Sequence, residues 1–165
     1  SLRDRTLVVF MTDHGGDENY GGSNRPLRGG KATLFEGGLR VPCIVRWPGQ
    51  IPAGSVSHDV ACAVDWFPTF GRIAGYGADG VDGKSILPLL KGEVESQART
   101  LVWKTGAHEL LGRKSWLAVR EGDWKWVRPP GENGMLFNVS NDPAEKNDLA
   151  AERPKLAARL KLLAE

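Results

Sequence analysis

The first apolar block of the chain, Thr6-Leu7-Val8-Val9-Phe10-Met11, lies between a charged opening stretch and the polar run Thr12-Asp13-His14-Gly15-Gly16. A short, continuous, β-branched run of this kind predicts a strand over 6–11 that is buried on both faces, with covering helices and parallel neighbours. Residues 15–30 are polar and glycine-rich without a period, so they read as one long loop. Loops of that length in compact domains are functional or disordered. Pro42-Cys43-Ile44-Val45-Arg46-Trp47 predicts a second core strand, closed by Pro48-Gly49. Asp65 is placed to cap a helix over 66–74, with Pro68 in its first turn and Gly75 as its stop. Ser85 is placed to cap a short helical segment that ends at Gly92.

The pattern changes after the polar stretch 92–99. Strands are predicted over 100–103, 116–120, 124–127 and 135–139, and Glu121-Gly122-Asp123 between the middle two is a hairpin signal. Trp124 and Trp126 alternate onto one strand face and are assigned to the core. Pro154 opens a last helix with Leu156, Leu160 and Leu163 on one face and Lys155, Arg159 and Lys161 away from it. The expected organisation is therefore an α/β region over 1–95, followed over 96–165 by a small antiparallel sheet packed with a C-terminal helix.

Composition adjusts this picture in few places. The net charge of +2 is too small to point to nucleic acid or an anionic membrane as the main partner. No apolar stretch approaches the ~18 residues that a membrane span needs. Cys43 and Cys62 sit in apolar runs and read as small buried hydrophobes, although a disulfide between them is possible. The chain enters its first strand almost at once, as expected of a segment from inside a longer protein. Such a strand would leave edges and an apolar face open, so self-association is expected of the isolated chain.

Two constellations carry candidate chemistry. Asp13 and His14 follow a buried strand, and ligands of open α/β sheets collect at the carboxyl ends of strands. Asp offers hard oxygen to a cation, and His offers nitrogen or a hydrogen bond. The alternative is a turn-capping Asp beside an exposed His. Lys31 follows Arg28-Gly29-Gly30, where glycines let the backbone approach an anion, and a compact ammonium there suits a tetrahedral oxyanion. Its alternative is a solvated surface lysine. Glu36 and Arg40, four residues apart, are expected to form a structural ion pair.

Taken in order, these blocks resemble the sulfatase family of the alkaline-phosphatase-like superfamily. The resemblance runs through Asp13-His14-Gly15-Gly16, Asn24-Arg25-Pro26-Leu27-Arg28-Gly29-Gly30-Lys31, Phe35-Glu36-Gly37-Gly38-Leu39-Arg40-Val41-Pro42 and Val45-Arg46-Trp47-Pro48-Gly49. It continues in Val64-Asp65-Trp66-Phe67-Pro68-Thr69, in Asp82-Gly83-Lys84-Ser85 through Gly92, and in Ala118 to Lys125. The last block is Leu136-Phe137-Asn138-Val139 to Glu145. It implies the C-terminal part of an alkaline-phosphatase-like α/β core, followed by the small antiparallel sheet and terminal helix.

Sulfatases hydrolyse sulfate esters with a formylglycine made from Cys or Ser in a Cys/Ser-x-Pro-x-Arg motif, and a calcium ion neutralises the sulfate oxygens. The resemblance implies Asp13 and His14 at the metal site, His14 and Lys31 as catalytic groups, and Lys31 on sulfate. It further implies substrate contacts from Asn24, Arg28 and His108, with Lys104, Glu109 and Arg113 in suitable loops. The implied substrate is a sulfated sugar or aryl sulfate. Cys43-Ile44-Val45-Arg46 and Cys62-Ala63-Val64-Asp65 do not match the nucleophile motif, so the formylglycine is expected upstream and the chain is expected to be inactive alone. Calcium prefers oxygen, so the imidazole of His14 either hydrogen-bonds nucleophile or sulfate, or favours manganese or zinc. The latter keeps open a phosphodiester or phosphonate hydrolase, and a non-catalytic module for sulfated ligands is the other alternative. A periplasmic, secreted or lysosomal setting is implied by the family alone.

Overall fold

The computed structural model describes residues 1–77, 79–93, 99–106 and 115–165. The chain divides into two compact units, Ser1–Phe10 with Ile44–Gln97 and Met11–Cys43 with Ala98–Glu165.

In the first unit the opening apolar run becomes β1 (Val8–Met11), which pairs with β2 (Cys43–Arg46) in a two-stranded sheet. The expected burial on both faces is not found. Alternation along β1 turns Val8 and Phe10 to one side, and Phe10 remains 60% exposed because no described residue covers it. Cys43 is exposed and Cys62 half-buried, both as free thiols, so neither packs as a core hydrophobe. Helix α2 (Trp66–Ile73) is entered through the 3-10 turn Ala63–Asp65. Asp65 is fully buried, but its carboxylate does not cap α2. Oδ2 instead accepts the Cys62 N–H at 2.7 Å and Oδ1 the Lys84 N–H at 2.9 Å. Thr69 extends the link, its Oγ1 donating to the Asp65 carbonyl at 2.6 Å and accepting the Ile86 N–H at 2.9 Å. These bonds hold 84–86 against the start of α2, and α3 (Leu87–Leu90) follows directly. The Ser85 hydroxyl reaches the Leu87 N–H at 3.4 Å.

The second unit is built on four antiparallel strands in sequence order, β3 (Thr100–Lys104), β4 (Leu117–Glu121), β5 (Trp124–Arg128) and β6 (Met135–Asn138). The β4–β5 hairpin turns at Gly122, whose φ of 56° suits glycine. Alternation gives the sheet two apolar faces. Leu117, Val119, Trp126 and Leu136 pack on Leu160 and Ala164 of α4 (Pro154–Ala164). Ala118, Val127 and Phe137 pack on Leu34 and Phe35. Trp126 is core as expected, and Trp124 packs at its margin. The apolar stripe of α4 differs from expectation: Leu156, Ala157, Leu160 and Ala164 face the sheet, while Leu163 is 44% exposed. At 100° per residue Leu163 lies outside the arc centred on Leu160 and Ala164.

Candidate functional site

Within the second unit, the polar segment after β1 is stitched to the Arg28–Leu39 region by backbone. The Gly15 N–H donates to the Gly38 carbonyl at 3.1 Å, Lys31 N–H to Gly16 O at 3.1 Å, and Gly37 N–H to Arg28 O at 2.8 Å. The glycines are there because the chains touch. A Cβ on Gly15 would fall 1.7 Å from the Gly37 carbonyl oxygen, and one on Gly37 would fall 2.2 Å from Gly29 O. Asn24 serves the same junction: its Oδ1 accepts the Gly16 N–H at 2.6 Å, and its Nδ2 donates to Gly16 O and Gly29 O at 2.9 and 3.1 Å.

Beneath this loop, helix α1 (Glu36–Leu39) is a single turn with Glu36, Gly37 and Gly38 buried. The expected Glu36–Arg40 ion pair is not made. Glu36 Oε1 accepts from Lys125 Nζ at 2.8 Å, and Arg120 lies 3.7 Å from Oε2, while Arg40 is exposed. Arg120 and Lys125 are cross-strand partners on β4 and β5, so both reach the face that carries Phe35 and Glu36. Glu145 completes the cluster. Its Oε2 accepts the Glu36 N–H at 2.6 Å, and its Oε1 lies 3.0 Å from Lys125 Nζ in an ionic contact without hydrogen-bond alignment. Burial pushes the Glu145 carboxyl up from its ordinary value, against the pull of Lys125 and the Glu36 N–H. Two cations thus face two carboxylates. Removing one partner of such a buried pair costs about 3–5 kcal/mol.

The residues singled out from sequence fall into two groups. Asp13 and His14 lie next to one another at the loop's surface, with Asp13 Oδ2 3.3 Å from His14 Nε2. His14 Nδ1 is 2.8 Å from the Gly15 carbonyl, which only accepts, so Nδ1 is the donor in that contact. Nε2 faces the Asp13 carboxylate, an arrangement completed by a proton or a cation between them. These donors fit part of a mixed oxygen and nitrogen cation site. Among the described residues no group of three or more His, Cys, Asp or Glu converges. Lys31 is exposed, and among the described residues its ammonium has no hydrogen-bond or ion-pair partner. Asn24 and Arg28 are used internally: the Arg28 guanidinium lies 3.9 Å over the Phe35 ring and donates to the Glu145 carbonyl at 3.2 Å. Lys104 ends β3, and His108, Glu109 and Arg113 lie outside the described residues.

The family model for sulfatases matches residues 1–76. N-acetylgalactosamine-6-sulfatase of Canis lupus familiaris is 42% identical over 90% of this chain and 34% of its own length. Steryl-sulfatase of Mus musculus is 31% identical over 92% of this chain and 30% of its own. The crystal structure of Ps i-CgsB superposes with a TM-score of 0.82 at 32% identity, covering 96% of this chain and 35% of that one. The chain belongs to the sulfatase family. It spans about a third of the length of the curated relatives it matches. Its fold is the alkaline-phosphatase-like α/β arrangement of sulfatases, with the small antiparallel sheet and terminal helix after it.

Within the sulfatase frame, the residues that sequence reasoning missed are Lys125 and Glu145. Lys125 alternates with Trp124 and Trp126, a pattern that normally sends the polar residue to solvent. Glu145 follows Asn141-Asp142-Pro143 and reads as part of a turn. Neither position signals burial in the sequence.

Proposed function

We propose that this chain supplies cation-binding and sulfate-binding groups, Asp13, His14 and Lys31, to a sulfuric ester hydrolase. The observation that carries this is the stitched loop itself. It ties Asp13-His14-Gly15-Gly16 to Gly30-Lys31 through Gly16, so the Asp13–His14 pair and an ammonium without a partner among the described residues share one backbone-bonded segment. A divalent cation such as calcium held there would neutralise sulfate oxygens. Lys31 would hold a sulfate oxygen and balance the charge that develops on transfer to water. Asn24 and Arg28 support the loop in this reading, because their polar groups are already engaged with it.

Neither Cys43 nor Cys62 stands in a Cys-x-Pro-x-Arg motif. The chain alone is therefore inert toward esters in this reading, and the nucleophile belongs to sequence outside these 165 residues. Ps i-CgsB has also been solved in complex with k-i-k-neocarrahexaose, a finding that favours a sulfated sugar over an aryl sulfate as the ligand.

Titration of the chain with inorganic sulfate, followed by NMR, should move the Lys31 and His14 signals, and Lys31→Ala should abolish the response. Incubation with an aryl sulfate and calcium should give no turnover. Sustained metal-dependent hydrolysis, or a sulfate response indifferent to Lys31, would sink the reading. His14 supports a second reading, since imidazole suits manganese or zinc and phosphodiester or phosphonate chemistry. Stronger binding of those metals than of calcium, with phosphate preferred to sulfate, would favour it.

A further inference from the structure

We propose that Lys125 and Glu145 are positioning residues for the Asp13–Lys31 loop, acting on it through the backbone of Glu36. The proposal rests on the sulfatase reading for its chemical meaning, but its geometry stands independently. Glu145 holds α1 at its first residue by taking the Glu36 N–H on Oε2. Lys125, completely buried, holds the side chain of the same residue on Oε1. The next two residues carry the hold outward. Gly37 N–H grips Arg28 O, and Gly38 O receives the N–H of Gly15, which directly follows His14. Glu145 also reaches the loop from the other side, its carbonyl accepting from Arg28.

Two features set this apart from ordinary packing. Glu145 occupies a left-handed backbone conformation at φ 51°, where glycine would be free of cost. A side chain kept in that conformation implies that its carboxylate is used. In addition, a buried charge cluster is a poor device for stability, because matched apolar residues hold a core as well or better. What charges provide is direction. An acceptor aimed at one N–H and a cation aimed at one carboxylate orient the turn, where apolar contacts would let it slide.

The test uses the 165-residue chain with Lys125→Met and the isosteric Glu145→Gln, and with Leu160→Ala as a control that weakens the opposite sheet face. Hydrogen exchange should accelerate more at the Gly15, Lys31 and Gly37 amides than at the β4 and β5 amides in the first two variants. Leu160→Ala should show the reverse. Inorganic sulfate binding should weaken by about 10- to 100-fold in Lys125→Met and Glu145→Gln, the scale on which outer partners of a site act, and stay unchanged in Leu160→Ala. The double variant should lose less than the sum of the two single losses, because both act on Glu36.

If Lys125→Met does not fold, Glu145→Gln carries the test. Unchanged exchange at the loop amides, or equal acceleration across loop and sheet, would overturn the proposal. If the native chain binds no sulfate, the functional reading fails, and loop exchange alone decides whether Lys125 and Glu145 position it.

Discussion

Gly15 concentrates the constraint on this loop in a single residue. Its N–H bonds the Gly38 carbonyl, and a methyl group there would lie 1.7 Å from the Gly37 carbonyl oxygen. The obstacle is backbone, which cannot swing aside as a flexible side chain would. Gly15→Ala is therefore expected to destabilise the second unit by about 1–3 kcal/mol, the range for forced overpacking, and to free the Asp13–His14 pair. Urea unfolding would measure the first effect, and the Lys31 and His14 NMR signals the second. The same scale shows why Asp13, His14 and Lys31 stood out in the sequence as candidates while the burial of Lys125 and Glu145 did not. The first three stand in a polar, glycine-rich run whose residue types announce chemistry. Lys125 has the address of a solvated strand residue, and its burial depends on a carboxylate 89 positions away along the chain.

Among the elements, α4 and the β3–β6 sheet form a self-consistent pair. Hairpin turn, strand alternation and the N-terminal proline of the helix agree with one another, so these elements fall close to their expected bounds. The detail of the helix face does not. Leu160 is wholly buried between β-strand side chains, whereas Leu163 is 44% exposed. Leu160→Ala should cost about 2–5 kcal/mol by leaving a cavity, and Leu163→Ala should change stability by less than about 0.5 kcal/mol. Thermal or urea denaturation of the two variants would separate them. Arg159, on the exposed side of α4, pairs with Glu121 at the end of β4 and holds that carboxyl below its ordinary value.

At the scale of the whole molecule, the first unit leaves large apolar side chains in solvent. Phe10, Ile44 and Phe67 are each at least 60% exposed. The two strands β1 and β2 pair only with each other, so each keeps an open edge among the described residues. Open edges and exposed aromatics drive association. Light scattering of the chain should show species larger than the monomer, with a shift toward monomer in Phe10→Ser and Phe67→Ser. A clean, stable monomer in the native chain would contradict this. No helix among the described residues is long and apolar enough to cross a membrane.

Sequence by itself determined the family, the strands of the sheet with their terminal helix, and the candidates for chemistry, because periodicity, turn residues and ordered motifs are local properties of the chain. The one-turn helix Glu36–Leu39 carried no such signal. Tertiary structure alone decided three further matters. It left Val8 and Phe10 of β1 uncovered among the described residues, since burial depends on what else packs against a strand. It redirected Glu36 from Arg40 to Lys125 and Arg120, since an ion pair follows spatial neighbours and not helical spacing. It engaged Asn24 and Arg28 in holding the loop and left Lys31 without a partner among the described residues, because hydrogen bonds are shared out only when distant segments meet.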